Sequence, residues 1–158
     1  MSNMIITTRL KTADEVLKHW LLFLEGFSSL NKTCPEVREV DTNATLRLLC
    51  HVISLPNQDG LLTVFKKVDN EPIGFVICMN NSDPFRGVRS FNVYAAYSQS
   101  VVPGQSQFML NYTEKWAKEN GYEEMQARTF RFSGAARRIF TNKWGFKQKC
   151  IVYTKEIK

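Results

Sequence analysis

Residues 90–118 place the tightest limit on how this chain can fold. SFNVYAA (90–96) is apolar and dense in aromatic and β-branched residues, the pattern of a largely buried strand. YSQSVVPGQSQ (97–107) carries the Ser, Pro and Gly punctuation of a loop. FMLNYTEKWAKEN (108–120) then repeats Met109, Leu110, Thr113, Trp116 and Ala117 at helical spacing, with Ser106 as the expected N-cap and Gly121 as the stop. A strand that opens straight into a helix leaves several backbone N–H groups directed at one spot, and the helix's positive end adds to them. Such a spot suits a phosphate or pyrophosphate. The same pattern also serves βα connections that bind nothing, so both readings stand until the rest of the chain is weighed.

Upstream, IITTR (5–9) reads as a short strand, and T-A-D-E (12–15) as a capping box, in which Thr12 and Glu15 satisfy the first N–H groups of a helix. Val16, Leu17, Trp20, Leu21, Leu24 and Phe27 follow on one face, with the helix expected to end near Gly26. NKTCP is a break. A second helical face carries Val37, Val40, Ala44, Leu48 and Val52, with an interruption at 41–43 and a stop before Pro56. His51 falls near its apolar side, where a satisfied or half-exposed imidazole is expected rather than a catalytic one. LLTVFKKV and PIGFVICM then read as strands joined by a tight turn at Asp69-Asn70. Beyond the central helix come a strand over 124–130, a short helix in SGAARRIFTNKW with Ser133 as its cap and Gly145 at its end, and a terminal strand in FKQKCIVYTKEI. The order is β-α-α-β-β-β-α-β-α-β, an α+β chain without repeats or linkers, expected to form one domain over residues 1–158.

At 44% hydrophobic, 158 residues suffice for a core without covalent staples. The apolar run at 4–6 is too short for a signal peptide, and the longest, at 20–24, is far below the ~20 residues a bilayer span needs. No membrane association and a cytoplasmic location are expected. Cys34, Cys50, Cys78 and Cys150 are scattered, which argues for reduced thiols and against a metal site. Charge is more telling. Nine of the 21 Lys and Arg but only three of the 15 acids lie in 121–158, so the whole formal excess of +6 sits there. A one-sided basic surface draws polyanions, a phosphorylated cofactor or nucleic acid, although a solvated face has the same composition. No nucleic-acid-binding motif is present, which disfavours that partner.

The element order, with a phosphate-type loop after the fourth strand, resembles the GNAT superfamily of N-acetyltransferases. DNEPIGFVICM resembles that family's hairpin into its third strand, VVPGQS (101–106) its pyrophosphate loop, Q/R-x-x-G-x-G/A, and AARRIFTNKWGF (135–146) its last helix and Gly-Phe turn. The resemblance covers nearly the whole chain and implies a central, twisted, mostly antiparallel sheet flanked by helices. Registered on Gly104 and Ser106, the loop has Val101 where Gln or Arg is usual, and a second register on Gln99 and Gly104 is also open.

By that resemblance acetyl-CoA is the co-substrate, with no metal, and the acceptor is an amine of a small molecule or a protein. The amides of Val102, Gly104, Gln105 and Ser106 would hold the pyrophosphate, with Val101, Ala96, Ser133 and Arg137 also on the cofactor side. The oxyanion donor would come from the fourth strand around Tyr94–Ala96, with Tyr94 and Ala95 at the reacting centre. Phe140, or Thr141 in the alternative alignment, stands where the family carries a tyrosine that protonates the thiolate. The chain therefore looks like a degenerate member, of a kind carried by tailed phages. A catalytically inactive protein with a structural or virion role is the alternative implied. Only one strand's worth of residues follows Gly145, which invites a homodimer or larger assembly through the C-terminal strand.

Overall fold

A computed structural model of the chain describes residues 4–33, 41–127, 139–147, 155 and 157. It divides into two compact units, Met1–Arg128 and Thr129–Lys158. The first is built on a sheet of five strands: β1 (Ile6–Arg9), β2 (Gly60–Lys66), β3 (Pro72–Asn80), β4 (Ser90–Ser98) and β5 (Glu124–Ala127). They lie in the order β1-β2-β3-β4-β5, antiparallel through β4, with β5 parallel to β4. The change of sense follows from the connection, since β4 reaches β5 through a full helix, α4 (Gln105–Glu119), rather than a hairpin.

Alternation along β2 and along β3 from Phe75 onward sends side chains into two cores. Leu62, Val64, Phe75, Ile77 and Met79 join one cluster with Val16, Phe23, Leu49 and Val52, which lie on α1 (Ala13–Lys18), α2 (Trp20–Thr33) and α3 (Thr42–Ser54). Leu61, Phe65, Val76, Cys78 and Phe91 join the other with Met109, Trp116 and Ala117 of α4. Helices on both faces explain why these strands read as near-continuous apolar runs. The turn between β2 and β3 places Asn70 at φ 68°, a left-handed conformation that Asn tolerates, with its N–H donating to Lys67 O at 2.9 Å.

The capping box forms as the sequence indicates: Glu15 N–H donates to Thr12 Oγ1 at 3.2 Å, and Glu15 Oε2 accepts from the Thr12 N–H at 3.0 Å. The helix that follows differs from expectation. It breaks at His19, whose imidazole Nδ1 lies 2.8 Å from Glu15 O, and restarts as α2. Nor does α2 end near Gly26; it continues to Thr33. Gly26 is instead where α2 crosses the sheet, because a Cβ there would lie 2.5 Å from Phe75 Cε1 and 3.0 Å from Tyr97 Cβ. The second helical face begins at Thr42 with Asp41 as cap, its Oδ1 accepting from Ala44 N–H at 2.9 Å. The expected interruption at 41–43 is therefore the start of α3; Val37 and Val40 lie outside the described residues. In the second unit the described stretch Ile139–Lys143 is a π-helical turn, followed by Gly145 at φ 70°. The terminal strand expected after it lies outside the described residues, as does the part of the 124–130 strand beyond Ala127.

Candidate active site

The turn from β4 into α4 is shaped by one buried side chain. Gln105 is 1% exposed, and its Nε2 donates to Ile73 O at 2.7 Å, fixing the first residue of α4 against β3. Its own N–H closes the turn by donating to Val102 O at 3.1 Å. Helix entry therefore falls two residues earlier than the Ser106 cap expected from sequence: the cap position is Gly104, left-handed at φ 75°, with no side-chain cap. A Cβ built on Gly104 would meet nothing within 4 Å, so the glycine serves the backbone conformation and leaves open space before the helix. The amides of Val102, Gly104, Ser106 and Gln107 have no hydrogen-bond partner among the described residues, whereas that of Gln105 is used within the turn. The first turn carries no acidic residue. Val102 is buried against the α4-side core while Val101 is exposed.

Behind this turn, β4 is irregular at one point. Ile77 pairs with Ala95 and Cys78 with Val93, so Tyr94 is an extra residue with no partner on β3. Such a bulge takes a residue out of the ladder and turns two successive side chains toward one face. Val93 packs in the α4-side core, Ala95 and Tyr97 pack on the α2/α3 side, and Tyr94 joins them there, 51% exposed. Ala96 returns to register opposite Val76. The described pairing of β4 with β5 runs from Ser90–Glu124 to Val93–Ala127, ending just before the bulge.

On the face toward which Tyr94 turns lies an open cleft of about 630 Å³ lined by Leu48, His51, Leu55, Asp59, Met79, Asn80 and Tyr94. Asp59 Oδ1 accepts from Asn80 Nδ2 at 3.1 Å and from Arg89 at 3.4 Å. His51 is exposed at the C-terminal end of α3. Sequence reading set His51 aside and did not single out Asp59. What brings them to Tyr94 is the return of the chain from α3 into β2, which no local pattern reveals. Further along β4, Tyr97 donates to Glu25 Oε1 at 2.9 Å, and Gln99 Nε2 donates to Glu25 Oε2 at 3.2 Å. Burial, followed by the Glu25 carboxylate, pushes the Tyr97 phenol up to about 12, so it keeps its proton at neutral pH.

Of the residues singled out from sequence, Tyr94, Ala95, Ala96, Val101, Val102, Gly104, Gln105 and Ser106 fall within one strand–turn–helix segment of the first unit. Phe140 and Thr141 lie in the π-helical turn of the second. Ser133 and Arg137 lie outside the described residues. Among the described residues no group of His, Cys, Asp and Glu could hold a metal ion, and no helix is long and apolar enough to cross a membrane.

By sequence, no protein-family model and no curated protein matches the chain. Solved structures do match along its whole length. A possible acetyltransferase from Clostridium difficile 630 superposes with a TM-score of 0.73 at 11% identity, covering 98% of this chain and 99% of that one. The aminoglycoside N-acetyltransferase AAC(6')-Iy, in complex with CoA, gives 0.71 at 15% identity, with 99% and 98% covered. A GNAT family acetyltransferase from Staphylococcus aureus gives 0.69 at 14%, with 97% and 98% covered. The chain has the GNAT acetyltransferase fold: a mixed five-stranded sheet flanked by helices.

Proposed function

We propose that this protein is an acetyl-CoA-dependent N-acetyltransferase acting on an amine. The observation that carries the reading is the start of α4, where the N–H groups of Val102, Gly104, Ser106 and Gln107 have no partner among the described residues, the cap glycine offers no side chain, and the first turn has no acidic residue. These residues fit a diphosphate: unpaired amides and the helix's positive end favour anions, and the side-chain-free Gly104 lets one approach the backbone. Acetyl-CoA would supply the activated thioester. The bulge at Tyr94, one short strand segment away, frees backbone from the β3 ladder where the thioester oxygen needs a donor. With Phe140, or Thr141 in the alternative alignment, where a tyrosine is usual, departure of the thiolate relies on its own acidity, near ~8.5 for an unperturbed thiol. The cleft beside Tyr94 is the acceptor's place in this reading.

A thermal-shift measurement tests it. Acetyl-CoA at about 100 times its Kd should stabilise the protein by ~2.7 kcal/mol, a rise in Tm of several degrees. A melting curve unmoved by acetyl-CoA and by CoA removes the cofactor and the enzyme together.

A further inference from the structure

We infer that the acceptor is a primary amine carrying one positive charge on a compact apolar body, and that His51 takes its proton. This rests on the transferase reading above. Leu48, Leu55 and Met79 give the cleft an apolar wall from α3 and β3, suited to a hydrocarbon or aromatic group. Asp59 is the one carboxylate among the described lining residues, and its Oδ1 is already held by Asn80 and Arg89. Its other oxygen has no partner among the described residues, which leaves room for a single ammonium. A polyamine or an aminoglycoside would bring further cations to a cleft with no second carboxylate among its described lining residues, on a chain whose formal charge is +6.

His51 is the cleft's basic group. Its imidazole is exposed and has no hydrogen-bond partner among the described residues, in contrast to His19, whose ring lies 2.8 Å from Glu15 O. The other titratable groups lining the cleft are Asp59, from the loop after α3, and Tyr94, from β4; Arg89 stands behind Asp59, and β3 contributes only Met79 and the neutral Asn80. A proton leaves the ammonium for a ring nitrogen of neutral His51, and the freed lone pair forms the C–N bond at the thioester carbonyl. The C–S bond breaks, and the second N–H proton of the attacking amine ends on the departing thiolate. The products are the amide and the thiol, and the imidazolium returns its proton to solvent.

Two probes, 2-phenylethylamine and spermidine, test the acceptor class in steady-state assays with acetyl-CoA. The apolar monoamine is expected to have the higher kcat/KM, by tenfold or more; a preference for spermidine overturns the class. His51→Gln should lower kcat about a hundredfold at neutral pH. An unchanged rate in a variant that melts normally removes His51 from the chemistry. Binding is read separately, without acetyl-CoA. The chain has two histidines, so the imidazole NMR signal missing from His51→Gln identifies the residue. That signal should move with 2-phenylethylamine and stay still with spermidine at equal concentration; the reverse overturns the assignment of the cleft. A missing acetyl-CoA thermal shift would instead strike at the transferase reading, while the NMR titration still reports on the cleft.

Discussion

At the start of α1, the Thr12 hydroxyl accepts from Glu15 N–H, the Glu15 carboxylate accepts from the amides of Lys11 and Thr12, and Asp14 adds a second negative charge to the first turn. At the start of α4 the cap position is a bare glycine, the first turn has no acid, and four nearby amides find no partner among the described residues. Both ends have the same chemistry of orphan donors and positive potential. One closes on itself and the other stays open, on a helix otherwise well anchored by Gln105, Met109 and Trp116. A glycine at the cap of a long helix forgoes a few tenths of a kcal/mol against a capping side chain, and the difference marks where an anion from outside can complete the structure.

Exchanging the two designs tests this. The largest effect is expected for Gly104→Asp, which puts a carboxylate into the open space before α4: the acetyl-CoA thermal shift should vanish altogether, and a shift of unchanged size would mean the anion binds elsewhere. Thr12→Ala should cost about 1 kcal/mol in urea unfolding while leaving the acetyl-CoA shift intact, since α1 closes its own amides. Ser106→Asp, placing an acid in the first turn of α4, should stabilise the free protein by about 0.5 kcal/mol and weaken acetyl-CoA binding. A variant gaining both stability and affinity would contradict the comparison.

The smallest effect is one of pH. Hydrogen bonds from the amides of Lys11 and then Thr12 hold the Glu15 carboxyl below its ordinary value. A carboxyl depressed in the folded state adds stability above its unfolded pKa, ~4.3, and that stability is lost as pH falls through the folded value. The difference in urea midpoint between the wild type and Glu15→Gln should accordingly be present at pH 6 and shrink below about pH 4. A difference constant with pH would show that the carboxylate's charge contributes nothing to the cap.

Much of this was legible locally. The capping box, the apolar runs of β2 and β3 and the strand–loop–helix at 90–118 each depend on neighbours within a few residues, and the order of elements implied the fold. What was not legible depends on pairing across the sheet. The bulge at Tyr94 exists only as a mismatch of register with Ile77 and Cys78. The cap moved from Ser106 to Gly104 because Gln105 is anchored to Ile73, 32 residues away. The cleft needs Leu48 and His51 from α3, Asp59 from the following loop and Tyr94 from β4 in one place, and nothing in their spacing announces it.

Gly26 has a consequence for how the sequence can drift. Phe75, the ring nearest to it, is wedged among Phe23, Phe27 and Tyr97, at centroid distances of 4.9, 5.8 and 5.8 Å, so it has little freedom to retreat. Residue 26 therefore cannot gain even a methyl group unless residue 75 shrinks. The order of change is thereby fixed: the ring on the sheet has to give way before the helix position above it can accept a side chain.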